Sequence, residues 1–149
     1  MGNGITINVT GMDNLKSMLK SYSEKVKYKV GIAIYDAANK INEEAKKNLI
    51  SNKSVITGSL IKSLRVDAVS PMQAKVGTEI VYATDVEFGT AAHEITPRTG
   101  KCLAFKIDGK MVFVKRVHHP GSKAKPFFNP AIETTRPILL NDLKAALHA

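Results

Sequence analysis

The stretch YSEKVKYKVGIAIYDAANKINEEAKKNLI, Tyr22 to Ile50, decides the fold class. Val26, Val30, Ile34, Ala37, Ile41, Ala45 and Leu49 recur at three- and four-residue steps, with lysines and carboxylates between them. That period predicts one long amphipathic helix. Gly31 is its one weak position, costing up to ~1 kcal/mol relative to Ala in a helix interior. A long helix with a single apolar stripe must lie on something, and a sheet is the expected partner.

Working outward, Ile5-Thr-Ile-Asn-Val9 alternates apolar and polar side chains and predicts a short strand ended by Gly11. Met12 to Ser21 predicts a short helix with Leu15, Met18 and Leu19 on one face. Beyond the loop Ser51–Ser54, Thr57 can cap a helix running through Leu64. Leu64, Val66 and Ala68 then alternate with Arg65 and Asp67 as in a half-buried strand, ended by Ser70-Pro71. Ala74 to Val81 predicts a second strand, weakened by Gly77. Near the C-terminus, Asn129 suits a helix cap and Pro130 the first helical position. Ile132, Leu139, Leu140, Leu143 and Leu147 supply that helix with an apolar face, and Pro137 is expected to kink or interrupt it.

Asp108-Gly109 is a favoured two-residue hairpin turn, because both positions tolerate positive φ. With that turn, Ile107 faces Lys110, Phe105 faces Val112 and Leu103 faces Val114, on a side expected to meet the core. The other side carries Cys102, Ala104 and Lys106, opposed by Lys115, Phe113 and Met111. Met and Phe beside lysines are unusual on a free surface. Either the long helix covers them or another chain does, and a second chain suits better because one small domain has little material to cover both faces. The order is strand, helices, strands, hairpin, helix. This is an α+β domain: a long N-terminal helix and a C-terminal helix on a small, mainly antiparallel sheet, with a projecting basic β-hairpin.

At 149 residues, 44% hydrophobic and 23% charged, the composition is that of one globular domain, residues 1–149. No linker, repeat or low-complexity tract divides it. The single Cys102 cannot form an internal disulfide, which points to a reducing compartment. No apolar run approaches the ~18 residues of a membrane span, and Met1-Gly-Asn-Gly4 lacks the regions of a signal peptide, so a soluble intracellular protein is expected. Residues 1–6 formally fit an acylation pattern, but one acyl chain alone binds membranes only marginally. The sequons at Asn8 and Asn52 carry no weight without secretion.

The formal net charge of +9 is concentrated rather than spread. Residues 96–126 hold eight Lys and Arg against one carboxylate, Asp108. Such a stretch favours a polyanion, whether nucleic acid or an acidic protein face, or else serves only as a solvated surface.

Chemistry needs a constellation, and none stands out. His93, Cys102, His118 and His119 lack the short ligand-pair spacing of a structural zinc site. His118 and His119, just before Pro120-Gly121, read better as a turn cap, and Cys102 as a packed thiol. Asp85, Glu87 and Glu94 are carboxylates in a loop, which is commonplace. Gly2-Asn-Gly4 precedes a strand, so it is no phosphate-binding loop. No enzyme, metal or cofactor is expected.

Several segments, in order, resemble the tail-completion, or head–tail joining, family of tailed bacteriophages. They are Thr57-Gly-Ser-Leu60 with Ser63, Tyr82-Ala83, Val86-Glu-Phe-Gly-Thr90 and His93-Glu-Ile-Thr-Pro97. They continue with Leu103-Ala-Phe105, His119-Pro-Gly121 and Ala124-Lys-Pro-Phe-Phe-Asn-Pro-Ala131. Together they span most of residues 57–131, and the N-terminal helix matches only in length and polarity.

The resemblance implies a non-enzymatic virion protein, made in the host cytoplasm, that builds a homo-oligomeric, hexameric ring where tail meets DNA-filled head. Neighbouring neck and tail proteins, and DNA passing through the channel, are the implied partners; no membrane is. Residues 91–126 would form a basic extension whose Lys101, Lys106, Lys110, Lys115, Arg116, Lys123 and Lys125 contact a neighbour, an acidic neck face or DNA. Met111, Phe113, Glu87 and Phe88 are the candidate subunit-interface residues, with Glu87 either a loop cap or an intersubunit ion-pair partner. Phe127 and Phe128 read as core anchors. The rival expectation is a free nucleic-acid-binding module using the same basic stretch, although no base-stacking platform or recognition helix accompanies it.

Overall fold

A computed structural model describes residues 6–7, 17, 20, 22–54, 58–98 and 100–148. The predicted Met12–Ser21 helix, apart from Ser17 and Lys20, and the predicted Thr57 cap lie outside the described residues.

The long helix forms as its period requires. Helix α1 (Glu24–Ser51) buries Val26, Val30, Ala33, Ala37, Ala38, Ala45 and Leu49 along one side. Its main partner is another helix, α4 (Phe128–Leu147), and it also lies on the sheet. The two helices run antiparallel. Leu49 at the end of α1 packs with Phe127, Phe128 and Ala131 at the start of α4, while Val26 and Val30 pack with Ala146 at its end. Alanines over the middle of α1 let the helices approach closely.

Between them the chain makes α2 (Ser59–Ser63), then an antiparallel hairpin of β2 (Arg65–Ser70) and β3 (Gln73–Gly77). Strand β1 (Thr6–Ile7) pairs with the free side of β3, giving the order β1-β3-β2. Strand β3 stops at Gly77, short of the predicted Val81. Leu60, Leu64 and Val76 carry this layer into the main core with Ala83 of a further helix, α3 (Ala83–Phe88). A hydroxyl pair joins the layers: Thr78 Oγ1 lies 2.6 Å from Ser63 Oγ, which donates to the Leu60 carbonyl at 2.8 Å. On the outer face Arg65 pairs with both Glu79 and Asp67. The hydrogen bond to Glu79, seconded by that to Asp67, raises the guanidinium above its ordinary pKa.

Gly31 has a structural reason. A Cβ built there would meet the Pro71 carbonyl oxygen at 2.3 Å, so the β2–β3 turn packs on bare helix backbone. Pro137 does not end α4. The helix continues through it, and the Glu133 carbonyl is the one left without its i+4 donor.

Candidate assembly surface

Glu87 is the residue around which the motif segments assemble. It sits near the end of α3, 2% exposed, and its carboxylate accepts three backbone hydrogen bonds. Phe127 and Phe128 donate to Oε2 at 2.8 and 2.9 Å, and Asn129 donates to Oε1 at 2.9 Å. Four N–H groups at a helix start have no intrahelical acceptor. Three of them find Glu87, and the fourth position, Pro130, has no N–H. The cap of α4 is therefore Glu87 rather than Asn129. A carboxylate there is also favoured by the helix dipole. Of the two roles expected for Glu87, the structure places it as an internal cap, away from the surface.

The rest of the joint is backbone. Lys125 N–H donates to the Val86 carbonyl at 2.8 Å, and Thr90 and Ser122 exchange two N–H···O bonds at 3.0 Å. Asn48 and Asn52, at the end of α1, donate to the Phe127 and Pro126 carbonyls at 3.0 and 2.8 Å. Gly89 (φ 74°) and Gly121 (φ 85°) face each other's strands so closely that a Cβ would strike the Ser122 carbonyl at 2.5 Å or the Thr90 carbonyl at 2.3 Å. The Val86–Thr90 and Pro120–Ala131 segments are thus one interlocked structure.

From this root two ribbons extend. Strands β4 (His93–Ile95) and β7 (Val117–His119) pair antiparallel, placing His93 opposite His119 with rings stacked at 5.1 Å. His119 Nδ1 accepts the Gly121 N–H at 3.0 Å, which is the turn-capping role expected of it. His118 points the other way, to Glu94 at 3.2 Å. Beyond them β5 (Leu103–Ile107) and β6 (Lys110–Val114) form a separate two-stranded hairpin. Its register pairs Leu103 with Val114, Phe105 with Val112 and Ile107 with Lys110, and both Asp108 and Gly109 take positive φ.

The facing of this hairpin corrects the sequence reading. Because it does not join the main sheet, the side of Leu103, Phe105 and Ile107 does not reach the core: Phe105 is 36% and Ile107 51% exposed. Nor does α1 cover the other side, where Met111 is 51% and Phe113 63% exposed. Phe88 is equally bare at the end of α3. Lys101, Lys106, Lys110, Lys115, Arg116, Lys123 and Lys125 are all exposed, and none has an ion-pair partner among the described residues. Cys102 is exposed rather than packed, since it lies just before β5 on this outlying ribbon.

Three or more His, Cys, Asp or Glu side chains do not converge into a metal-binding group among the described residues. No helix among the described residues is long and apolar enough to cross a membrane. Comparison with protein-family models, with curated proteins and with solved structures yields no significant match. Sequence reasoning missed α3, read as loop, and the β4–β7 pair; six- and three-residue elements are too short to show a period.

Proposed function

We propose that this chain is a structural subunit of a tailed-phage or prophage particle, assembling into a ring at the head–tail junction. The observation that carries the reading is the hairpin, which holds Met111 and Phe113 out from the core beside unpaired lysines. A small domain that exposes such a ribbon has reason to bury it against another protein surface. The ordered motif segments support the same reading, because those at Val86–Thr90 and His119–Ala131 build the root from which the ribbon projects and leave the ribbon free to engage neighbours. Neck and tail proteins, and DNA in the channel, are the partners this role implies, with the virion as location. Catalysis has no part in it.

The test is the native mass of the purified protein, alone and with tail tubes, together with the variant Phe113→Glu. A ring mass that Phe113→Glu abolishes supports the proposal; a monomer under both conditions overturns it. The exposed cations favour a second reading, a free polyanion-binding module, whose mark is DNA binding by the monomer that weakens steeply with salt.

A further inference from the structure

We infer that the β4–β7 ribbon is a pH-sensitive joint: protonation of His119 releases the turn at Gly121, where the ribbon rejoins its root, while the two strands stay paired. The inference goes beyond the ring reading and does not depend on it. Three of the four histidines of the chain, His93, His118 and His119, stand on this ribbon. Histidine is the side chain that ordinarily changes charge between about pH 5 and 8.

The two stacked rings are tied to the root by bonds of opposite sense. His93 Nδ1 lies 3.0 Å from the Ala91 carbonyl, which can only accept, so this nitrogen carries a proton. His119 Nδ1 accepts the Gly121 N–H at 3.0 Å, so this nitrogen is bare and the proton of the neutral ring sits on Nε2. Charging His93 therefore leaves its bond intact. Charging His119 puts a proton where the Gly121 donor already points. Gly121 also packs on the Thr90–Ala92 backbone, where a Cβ would meet the Thr90 carbonyl at 2.3 Å, and it directly precedes the Thr90–Ser122 bridge. The turn that His119 holds is thus the place where β7 returns to the root.

The surroundings give the joint its sign. His93 and His119 share one side of the ribbon with rings 5.1 Å apart, and neither has a carboxylate within ion-pair distance among the described residues. Two charged imidazoles on that side repel each other. Glu94 and His118 occupy the opposite side by strand alternation, 3.2 Å apart, so charging His118 tightens that contact. The other charged residues of 90–98 and 116–123 are all cations: Arg98, Arg116 and Lys123. Acid loosens the side that holds Gly121 and strengthens the side that joins the strands. The turn is formed while His119 is neutral and lost as the pH falls through its titration.

The first test needs no variant. In imidazole nitrogen spectra of the full chain at about pH 8, neutral His119 should carry its proton on Nε2 and His93 on Nδ1. A proton on His119 Nδ1 overturns the inference. Amide exchange is then measured at about pH 8 and pH 5, each rate taken relative to an unstructured chain at the same pH. Protection of Gly121 should fall ~5-fold or more in acid, the usual net contribution of one hydrogen bond, while amides shared between β4 and β7 keep theirs. His119→Asn sets an amide oxygen, which does not titrate, where Nδ1 stands, and should make Gly121 protection equal at both pH values. His118→Gln should leave the fall in place. Protection of Gly121 that survives acid in the parent, or that falls equally in His119→Asn, overturns the joint. If thermal melts show His119→Asn unfolded, the parent spectra and exchange decide.

Discussion

The carboxylate of Glu87 accepts the N–H of Phe128 at 2.9 Å, joining α3 to α4 across forty-one residues of chain. The intervening segment contains the whole basic extension, and its two ends are held together at this cap and at the Thr90–Ser122 bridge. The hairpin is therefore an excursion from a closed root. Its two ends are fixed at that root, while Met111 and Phe113 near its tip stay exposed.

Glu87→Ala should cost roughly 3–5 kcal/mol, because it strands three N–H donors in a buried site. With total stability on the order of 5–15 kcal/mol, that is a large fraction. Glu87→Gln keeps one acceptor oxygen and should fall between. Urea midpoints measure both; an alanine variant as stable as the parent would show that α4 starts without this cap.

Gly31→Ala reverses an ordinary expectation. In a free helix interior it should stabilise by up to ~1 kcal/mol. Here the added methyl meets the Pro71 carbonyl at 2.3 Å, so the substitution should destabilise instead. The sign of the change in thermal midpoint decides it.

Gly89→Ala should be worse. Its φ of 74° and ψ of 178° lie in a region essentially reserved for glycine, at a strain of roughly 1–3 kcal/mol, and the Ser122 carbonyl stands 2.5 Å from the new Cβ. Loss of stability should come with loss of the Thr90–Ser122 bridge, visible as faster amide exchange at both residues.

Phe113→Glu should leave the monomer within ~0.5 kcal/mol of the parent, as exposed substitutions generally do. Assembly should nevertheless be lost. Melting curves and native mass on the same sample separate the two effects, and normal particles carrying the variant would count strongly against a buried hairpin.

Lys106→Glu with Lys110→Glu tests the polyanion reading. If these side chains neutralise phosphates, the slope of log affinity against log salt should fall by ~0.9 for each contact removed. Binding that is absent, or unaffected by salt, leaves the cations to a protein face.

What could be read from the chain was whatever neighbours in sequence settle between themselves. The 3.6-residue period of Val26 to Leu49 made α1, and positive φ at Asp108 and Gly109 set the register of β5 against β6, because both signals are complete within a few turns or residues. Other features needed partners far along the chain. Glu87 looked like a loop carboxylate until α4 supplied its donors; Gly31 looked like a flaw until the Pro71 carbonyl arrived on top of it. Most of all, alternation showed that the hairpin has two faces but not what each would meet. That depended on whether it joined the main sheet, a question of three-dimensional packing, and standing apart is what leaves Met111 and Phe113 exposed.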